Sequence, residues 1–260
     1  MNELVRLDLR DLPTGERCHF IRLDAPRANA LEPGLLDALQ SALDAVIDSG
    51  VRRVVLSGGR NFSTGGDVGR FHDAAESGEV LEYANAVVPR LQECVYRMMA
   101  APVIFAVAAR GAITGGSAGF LFAADLSVLC PEAFVQPYYG TVGFAPDGGW
   151  TAVLPDLIGT SAARNWLLTD RRVSAGDAVG LGIAATVDDD PESRCAEFLA
   201  RIDIDSALAT KRLIWNAERL SRVRDGLSRE TAAFCSLIGS DIVKSRMARF
   251  LGREEAAGNV

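Results

Sequence analysis

Histidine is nearly absent from this 260-residue chain, with only His19 and His72, far apart in sequence. A zinc site or a Ser-His-Asp triad has little to be built from, and both histidines are read as structural. Cysteine is scarce and unpatterned. The five residues Cys18, Cys94, Cys130, Cys195 and Cys235 are odd in number and show no C-x-x-C or His-paired spacing, which reads as reduced thiols of a cytoplasmic protein. Positive charge is also short, since 27 Lys and Arg against 34 Asp and Glu leave a net charge of −7. That balance argues against a nucleic-acid surface, although one local basic spot for an anionic ligand remains compatible with it. The first residues, MNELVRLDLRD, lack the apolar stretch of a signal peptide, and the one long apolar span, near Ala101, is interrupted by Arg110 and a glycine cluster. No membrane segment is expected.

What is present suits a packed globular chain: 48% hydrophobic and 23% charged residues, with no low-complexity linker. Residues Leu4–Leu9 and Cys18–Leu23 alternate as a hairpin does, around Pro13-Thr14-Gly15. Apolar residues recur at helical spacing from Leu35 to Asp48, Gly50 ends that helix, and Val51–Leu56 follows as a buried strand. Strand, helix and strand in this order predict an α/β fold with a partly parallel sheet. Phe71–Ala100 reads as helical, Ser117–Asp125 as a helix leading into the strand Leu126–Cys130, and Ala207–Leu220 and Asp225–Leu237 as amphipathic helices.

Two glycine turns stand out. Ala101–Gly119 is an apolar strand, a small-residue turn containing Gly115, and the start of a helix; Arg60–Asp67 follows the Val51–Leu56 strand and contains Gly66. Glycines allow tight turning and let a ligand touch the backbone, and two inward amides at such turns make an oxyanion hole. With Thr64-Gly65-Gly66-Asp67, Gly111-Ala112-Ile113-Thr114-Gly115-Gly116 and the segment Leu168–Ile183, the chain resembles the enoyl-CoA hydratase/isomerase family, the crotonase superfamily, from about Ile21 to Phe250.

The resemblance implies a repeated β-β-α spiral core over residues 1–200 carrying an acyl-CoA site, and a helical oligomerisation region over 201–260. It implies a homo-oligomer, a trimer or a dimer of trimers. Gly66 and Gly115 are then the oxyanion donors. Asp24–Leu31 matches the loop that meets CoA, with Arg27 as the basic side chain, Ala28 and Ala30 as backbone contacts, and Asp67 also at the binding site. Phe250 and Arg253 stand where an aromatic and a basic residue meet the CoA of an adjacent subunit. The helical stretch from Phe71 corresponds to a mobile flap over the acyl group.

The acid–base groups depart from the hydratase pattern. Hydratases of the family use two glutamates, and here those positions read Ala118 and, after Gln136-Pro137, Tyr138. Hydration needs one group to activate water and another to deliver a proton, so classical hydration is not expected. Asp147, in Gly143-Phe-Ala-Pro-Asp-Gly-Gly149, resembles the single acid of an isomerase branch. An aspartate between Pro and Gly-Gly is equally a good helix cap. In the related aroyl-CoA dehalogenases an aspartate at this point is a nucleophile, with a donor eight residues earlier, which is Tyr139 here; Tyr138 and Tyr139 are otherwise acyl-pocket walls. Three readings follow: an enoyl-CoA double-bond isomerase with Asp147 as base, a dehalogenase or hydrolase with Asp147 as nucleophile, or an acyl-CoA-binding homologue without chemistry. None calls for a metal or a redox cofactor, because the CoA thioester itself acidifies the carbon.

Overall fold

The computed structural model of the chain describes residues 4–253. Strands β1 (Val5–Asp11) and β2 (Arg17–Leu23) form the expected antiparallel hairpin. A short turn, α1 (Pro26–Asn29), precedes helix α2 (Pro33–Asp48) and strand β3 (Arg53–Ser57). Where the pattern predicted one helix from Phe71 to Ala100 there are two, α3 (Val68–Ser77) and α4 (Val80–Ala100). Gly78, in the left-handed region at φ 80°, ends the first of them.

Strands β4 (Ile104–Ala109) and β5 (Ala112–Thr114) lead to α5 (Ala118–Ala123), and β6 (Leu126–Leu129) and β7 (Phe134–Gln136) lead to α6 (Tyr139–Val142). The main sheet has the order β1-β2-β3-β4-β6-β9, parallel from β2 onward, where β9 is Thr186–Val187. A second sheet pairs β5, β7 and β8 (Val173–Ser174), and single parallel bridges Ser63↔Ile113 and Leu31↔Gly66 extend it backwards along the chain. Each turn of chain therefore gives one strand to the main sheet and a short one to the second before a helix returns it. This is the β-β-α repeat the resemblance implied.

Alternation sorts the central strands between two cores. Val54, Leu56, Phe105, Val107 and Ala109 face the larger core with α2 and α4, whereas Val55, Ile104, Ala106 and Ala108 face a smaller one with α10 (Pro191–Arg201). Burial on both faces explains why these strands read as unbroken apolar runs. Four of the five cysteines are buried, and desolvation pushes the thiols of Cys18, Cys94 and Cys195 up to about 12.

Helices α7 (Leu154–Ile158), α8 (Thr160–Thr169) and α9 (Ala175–Gly180) precede α10, and α11 (Ile204–Ile214), α12 (Ala217–Ile238) and α13 (Asp241–Phe250) follow it. The break in the C-terminal helices falls at Asn216, whose side chain accepts from Arg219 N and caps α12, not after Leu220 as the apolar pattern suggested. Lys211 of α11 is buried and donates to Met98 O, Val103 O and Asp125 Oδ2 at 2.6–2.8 Å, tying α11 to the start of β4. No helix among the described residues is long and apolar enough to cross a membrane.

Candidate active site

The two glycine turns meet because neither has a side chain between them. Gly65 has φ 74°, and a Cβ built on it would lie 2.4 Å from Thr114 O, so the first turn rests directly on the backbone of the second. Around them the polar groups are committed. Gly65 N donates to Ser63 Oγ, Leu31 N donates to Gly65 O, and Thr114 N donates to Ser63 O and to Ser117 Oγ. Gly66 and Gly115 both line a cavity. Trp150 Nε1 donates to Gly115 O at 2.8 Å and holds the second turn from below.

Sequence reasoning did not foresee how the loop before α2 is built. Arg27, Ala28 and Asn29 have φ of 54, 55 and 58°, one turn of left-handed backbone without a glycine. Such a turn costs about 1–2 kcal/mol per residue and persists only where the surroundings hold it. Asn29 does much of the holding: Ala25 N donates to its Oδ1 at 2.7 Å, and its Nδ2 donates to Phe62 O at 2.9 Å. Ser63 Oγ donates to Asn29 O and Thr64 Oγ1 to Arg27 O, so the loop is braced on the first glycine turn.

The cavity has a volume of about 390 Å³. Arg27, Ala30, Gly66, Asp67, Gly115, Tyr138, Tyr139, Asp147 and Phe250 all line it. The structure therefore brings together nine of the eleven site residues named from the sequence. Arg253 lies outside the lining, as does Ala28, whose carbonyl accepts from Thr64 N at 3.1 Å. Asp67 reaches the wall but is already engaged as the N-cap of α3, accepting from Arg70 N, and pairs with Arg27 at 2.5 Å. Arg27 also pairs with Glu32 at 3.0 Å, so two carboxylates answer the cation proposed for CoA.

Phe250 packs on Tyr138, ring centroids 5.8 Å apart, and lines this chain's own cavity. Arg253 pairs with Asp73 of α3 at 2.6 Å. The inner end is apolar and absent from the sequence-based list: Phe71, Phe144 and Phe234 meet edge-on or tilted with centroids 5.1–5.5 Å apart, beside Val87 and Leu91. Ala118, which the resemblance set at a hydratase-acid position, is fully buried outside the lining. His19 is bonded to Ser49 Oγ at 2.9 Å, and His72 lies 3.3 Å from Arg253, both away from the lining. Among the described residues no cluster of His, Cys, Asp or Glu is placed to hold a metal.

Asp147 is not a helix cap. Its Oδ1 accepts from Tyr139 Oη at 2.5 Å, and the nearest following helix, α7, starts beyond Val153. Burial pushes its carboxyl from the ordinary 3.8 up to about 7; the Tyr139 hydrogen bond opposes that rise and the charge of Glu230 adds to it. The Tyr139 phenol is itself pushed well up by burial, so it stays a donor. Residue 116 fixes how closely Asp147 approaches the glycine turns, since a Cβ there would lie 2.7 Å from Asp147 Oδ1 and 2.5 Å from Leu91 Cδ2. Gly116 lies outside the positive-φ region, so Gly116→Ala strains no backbone and acts by displacing the carboxylate. A loss of about 100-fold in kcat is expected, because misplacement by an ångström has costs of that order. Equal turnover in steady-state assays of the two forms would contradict it.

The sequence model described as enoyl-CoA hydratase/isomerase matches residues 15–256. A Thermus thermophilus protein provisionally named as an enoyl-CoA hydratase is 33% identical over 162 residues, which are 62% of this chain and 63% of that protein, so the match spans less than two thirds of that relative. The 4-chlorobenzoyl coenzyme A dehalogenase-1 of an Arthrobacter species is 26% identical over 257 residues, 90% of this chain and 87% of that enzyme. The crystal structure of an enoyl-CoA hydratase from Bacillus halodurans superimposes with a TM-score of 0.84 at 20% identity, covering 95% of this chain and 99% of that one, a likeness of fold. With the family model spanning nearly the whole chain over a β-β-α core of the same shape, the chain belongs to the enoyl-CoA hydratase/isomerase family.

Proposed function

We propose that the chain is an acyl-CoA thioester enzyme that moves a carbon–carbon double bond. The amides of Gly66 and Gly115 hold the thioester oxygen, and Asp147 takes a proton from one carbon of the acyl group and returns it two atoms away. The observation that carries this reading is the Asp147 carboxyl, buried in the cavity beside both glycine turns with a pKa near 7. A base with that pKa is half ionised near neutral pH and can both accept and return a proton. Asp67, the other carboxylate in the lining, is occupied by Arg70 N and Arg27, and hydration requires two free groups. A wholly apolar inner end fits a hydrocarbon acyl chain. On this reading the thioester supplies the activation, with no metal or redox cofactor, and the helices from residue 201 onward serve a homo-oligomer.

Only one oxygen of Asp147 is free. Oδ1 is tied to Tyr139, so Oδ2 performs both transfers on one face of the acyl group. Tyr139→Phe removes the bond that favours the carboxylate, so the acid limb of kcat/KM moves to higher pH by about one unit, the equivalent of one hydrogen bond to a charged group. A pH–rate profile unchanged in position would show that the phenol does not act on Asp147.

The test of the function is a short 3-enoyl-CoA incubated with the protein in heavy water and followed by NMR at the α and γ carbons. Migration of the double bond with deuterium uptake supports the proposal. A hydroxyacyl product would instead support hydration, the reaction in the relatives' names. The dehalogenase relative makes nucleophilic attack by Asp147 the second reading, and a covalent adduct found by mass spectrometry after a single turnover would establish it. CoA binding without turnover of any thioester would leave a binding protein.

A further inference from the structure

Glu230 is a buried carboxylate on the apolar stripe of α12, between Leu227 and Phe234, 3% exposed. Its Oε1 accepts from Thr151 N at 2.6 Å, Ala152 N at 3.0 Å and Thr151 Oγ1 at 2.7 Å, and its Oε2 accepts from Gly149 N at 2.8 Å. A buried charge costs heavily unless hydrogen bonds answer it, and here both oxygens are answered. Three of the four donors are backbone amides of the turn that begins directly after Asp147. Converging amides of this type form a nest for an anion, and the nearest acid in sequence is Asp147 itself. Its position after Pro146 and before Gly148-Gly149 suits that duty. Glu230 has taken the place instead.

We infer that Glu230 is the positioning residue of this site: by filling the amide nest at residues 149–152 from α12, it frees the Asp147 carboxylate to face the cavity. The last third of the chain thereby becomes part of the acid–base apparatus. The inference rests on the reading of Asp147 as the working base. Two ionisable groups act on Asp147 among the described residues, Tyr139 from α6 and Glu230 from α12. Their effects oppose each other, the phenol favouring the carboxylate and the Glu230 charge disfavouring it.

The experiment compares E230Q and E230D with the wild-type full chain. E230Q keeps the shape, removes the charge and offers the nest a donor where an acceptor belongs; E230D keeps the charge but withdraws it by one methylene. Both should lower kcat by at least about tenfold with KM changed by less than about threefold, the pattern of a displaced base. The acid limb of kcat/KM moves to lower pH in E230Q and stays in place in E230D, a split that a purely structural role would not produce. Independently of any substrate, the Asp147 carboxyl is titrated by ¹³C NMR of labelled aspartates, assigned by its absence in D147N. A lower midpoint in E230Q supports the inference even if the wild type moves no double bond, and an unmoved midpoint overturns it. Should E230Q fail to fold, Thr151→Val deletes one donor to Oε1, and wild-type kcat in that variant would equally overturn it.

Discussion

Asp147→Asn lowers turnover by about 10²- to 10⁴-fold, the range for removing a positioned general base, and leaves affinity for CoA and its thioesters roughly intact. The amide still accepts the hydrogen bond from Tyr139 Oη, so the side chain keeps its place and only the proton chemistry is lost. The two glycine turns are untouched, so thioester binding through them, as proposed, is expected to persist. Titration calorimetry with a CoA thioester, beside a turnover assay, separates the two effects. Full activity in Asp147→Asn removes Asp147 from the mechanism, whether as base or nucleophile.

The same substitution has an expected effect on stability with a defined sign. Asp147 holds its proton up to about pH 7 in the fold but only to about 3.8 in the ordinary carboxyl range reached on unfolding. Below that window both states are protonated and the group contributes nothing against folding. As pH rises through the window the unfolded chain ionises freely while the folded one resists, so stability falls and levels off above about 7. The penalty above neutrality is on the order of 4 kcal/mol. Asparagine does not ionise. Asp147→Asn should therefore melt higher than wild type at pH 8 and close to it at pH 4, so activity and stability change in opposite directions, as expected of a desolvated functional acid.

Much of this site was legible in the order of residues because its members lie in short motifs. Gly66, Gly115 and Asp147 each sit beside glycines or a proline that announce a turn, and the strands that carry them are unbroken apolar runs. Glu230 was not legible in that way, since its partners lie some eighty residues earlier. It did leave a signal. Val223, Leu227, Phe234 and Ile238 form the apolar stripe of α12, and Glu230 falls on that stripe, where an ordinary surface acid does not belong. The left-handed turn at Arg27–Asn29 left less trace, because its conformation depends on hydrogen bonds to a segment more than thirty residues later, from Asn29 Nδ2 to Phe62 O and from the Ser63 and Thr64 hydroxyls to its carbonyls. The division of α3 from α4 was visible in Gly78 alone, one residue against a long helical pattern. The packing of Phe250 on Tyr138 follows from how α13 folds back on α3 and α6, a matter of tertiary packing.

Gly65→Ala is expected to damage stability and turnover together, for a reason distinct from that of Asp147. At φ 74° an alanine pays about 1–2 kcal/mol for left-handed backbone. The larger cost is contact. Its Cβ would sit 2.4 Å from Thr114 O and 3.1 Å from Thr114 C, atoms of a backbone pinned by Ser63 and Ser117, so neither side gives way easily. The two glycine turns must separate, and with them the amides of Gly66 and Gly115 that converge on one oxygen under the proposed function. A total loss of roughly 2–4 kcal/mol in unfolding free energy is expected. Turnover should fall by about 10²- to 10³-fold, as when an oxyanion donor is lost. Gly15→Ala is the control, since Gly15 shares the left-handed backbone at φ 91° but has nothing within 4 Å of a built Cβ. It carries the conformational cost alone, in a hairpin turn outside the cavity, and should leave kcat unchanged. Equal losses in the two variants, read by urea unfolding and turnover on the same preparations, would mean that backbone strain and not the meeting of the two turns is what Gly65 relieves.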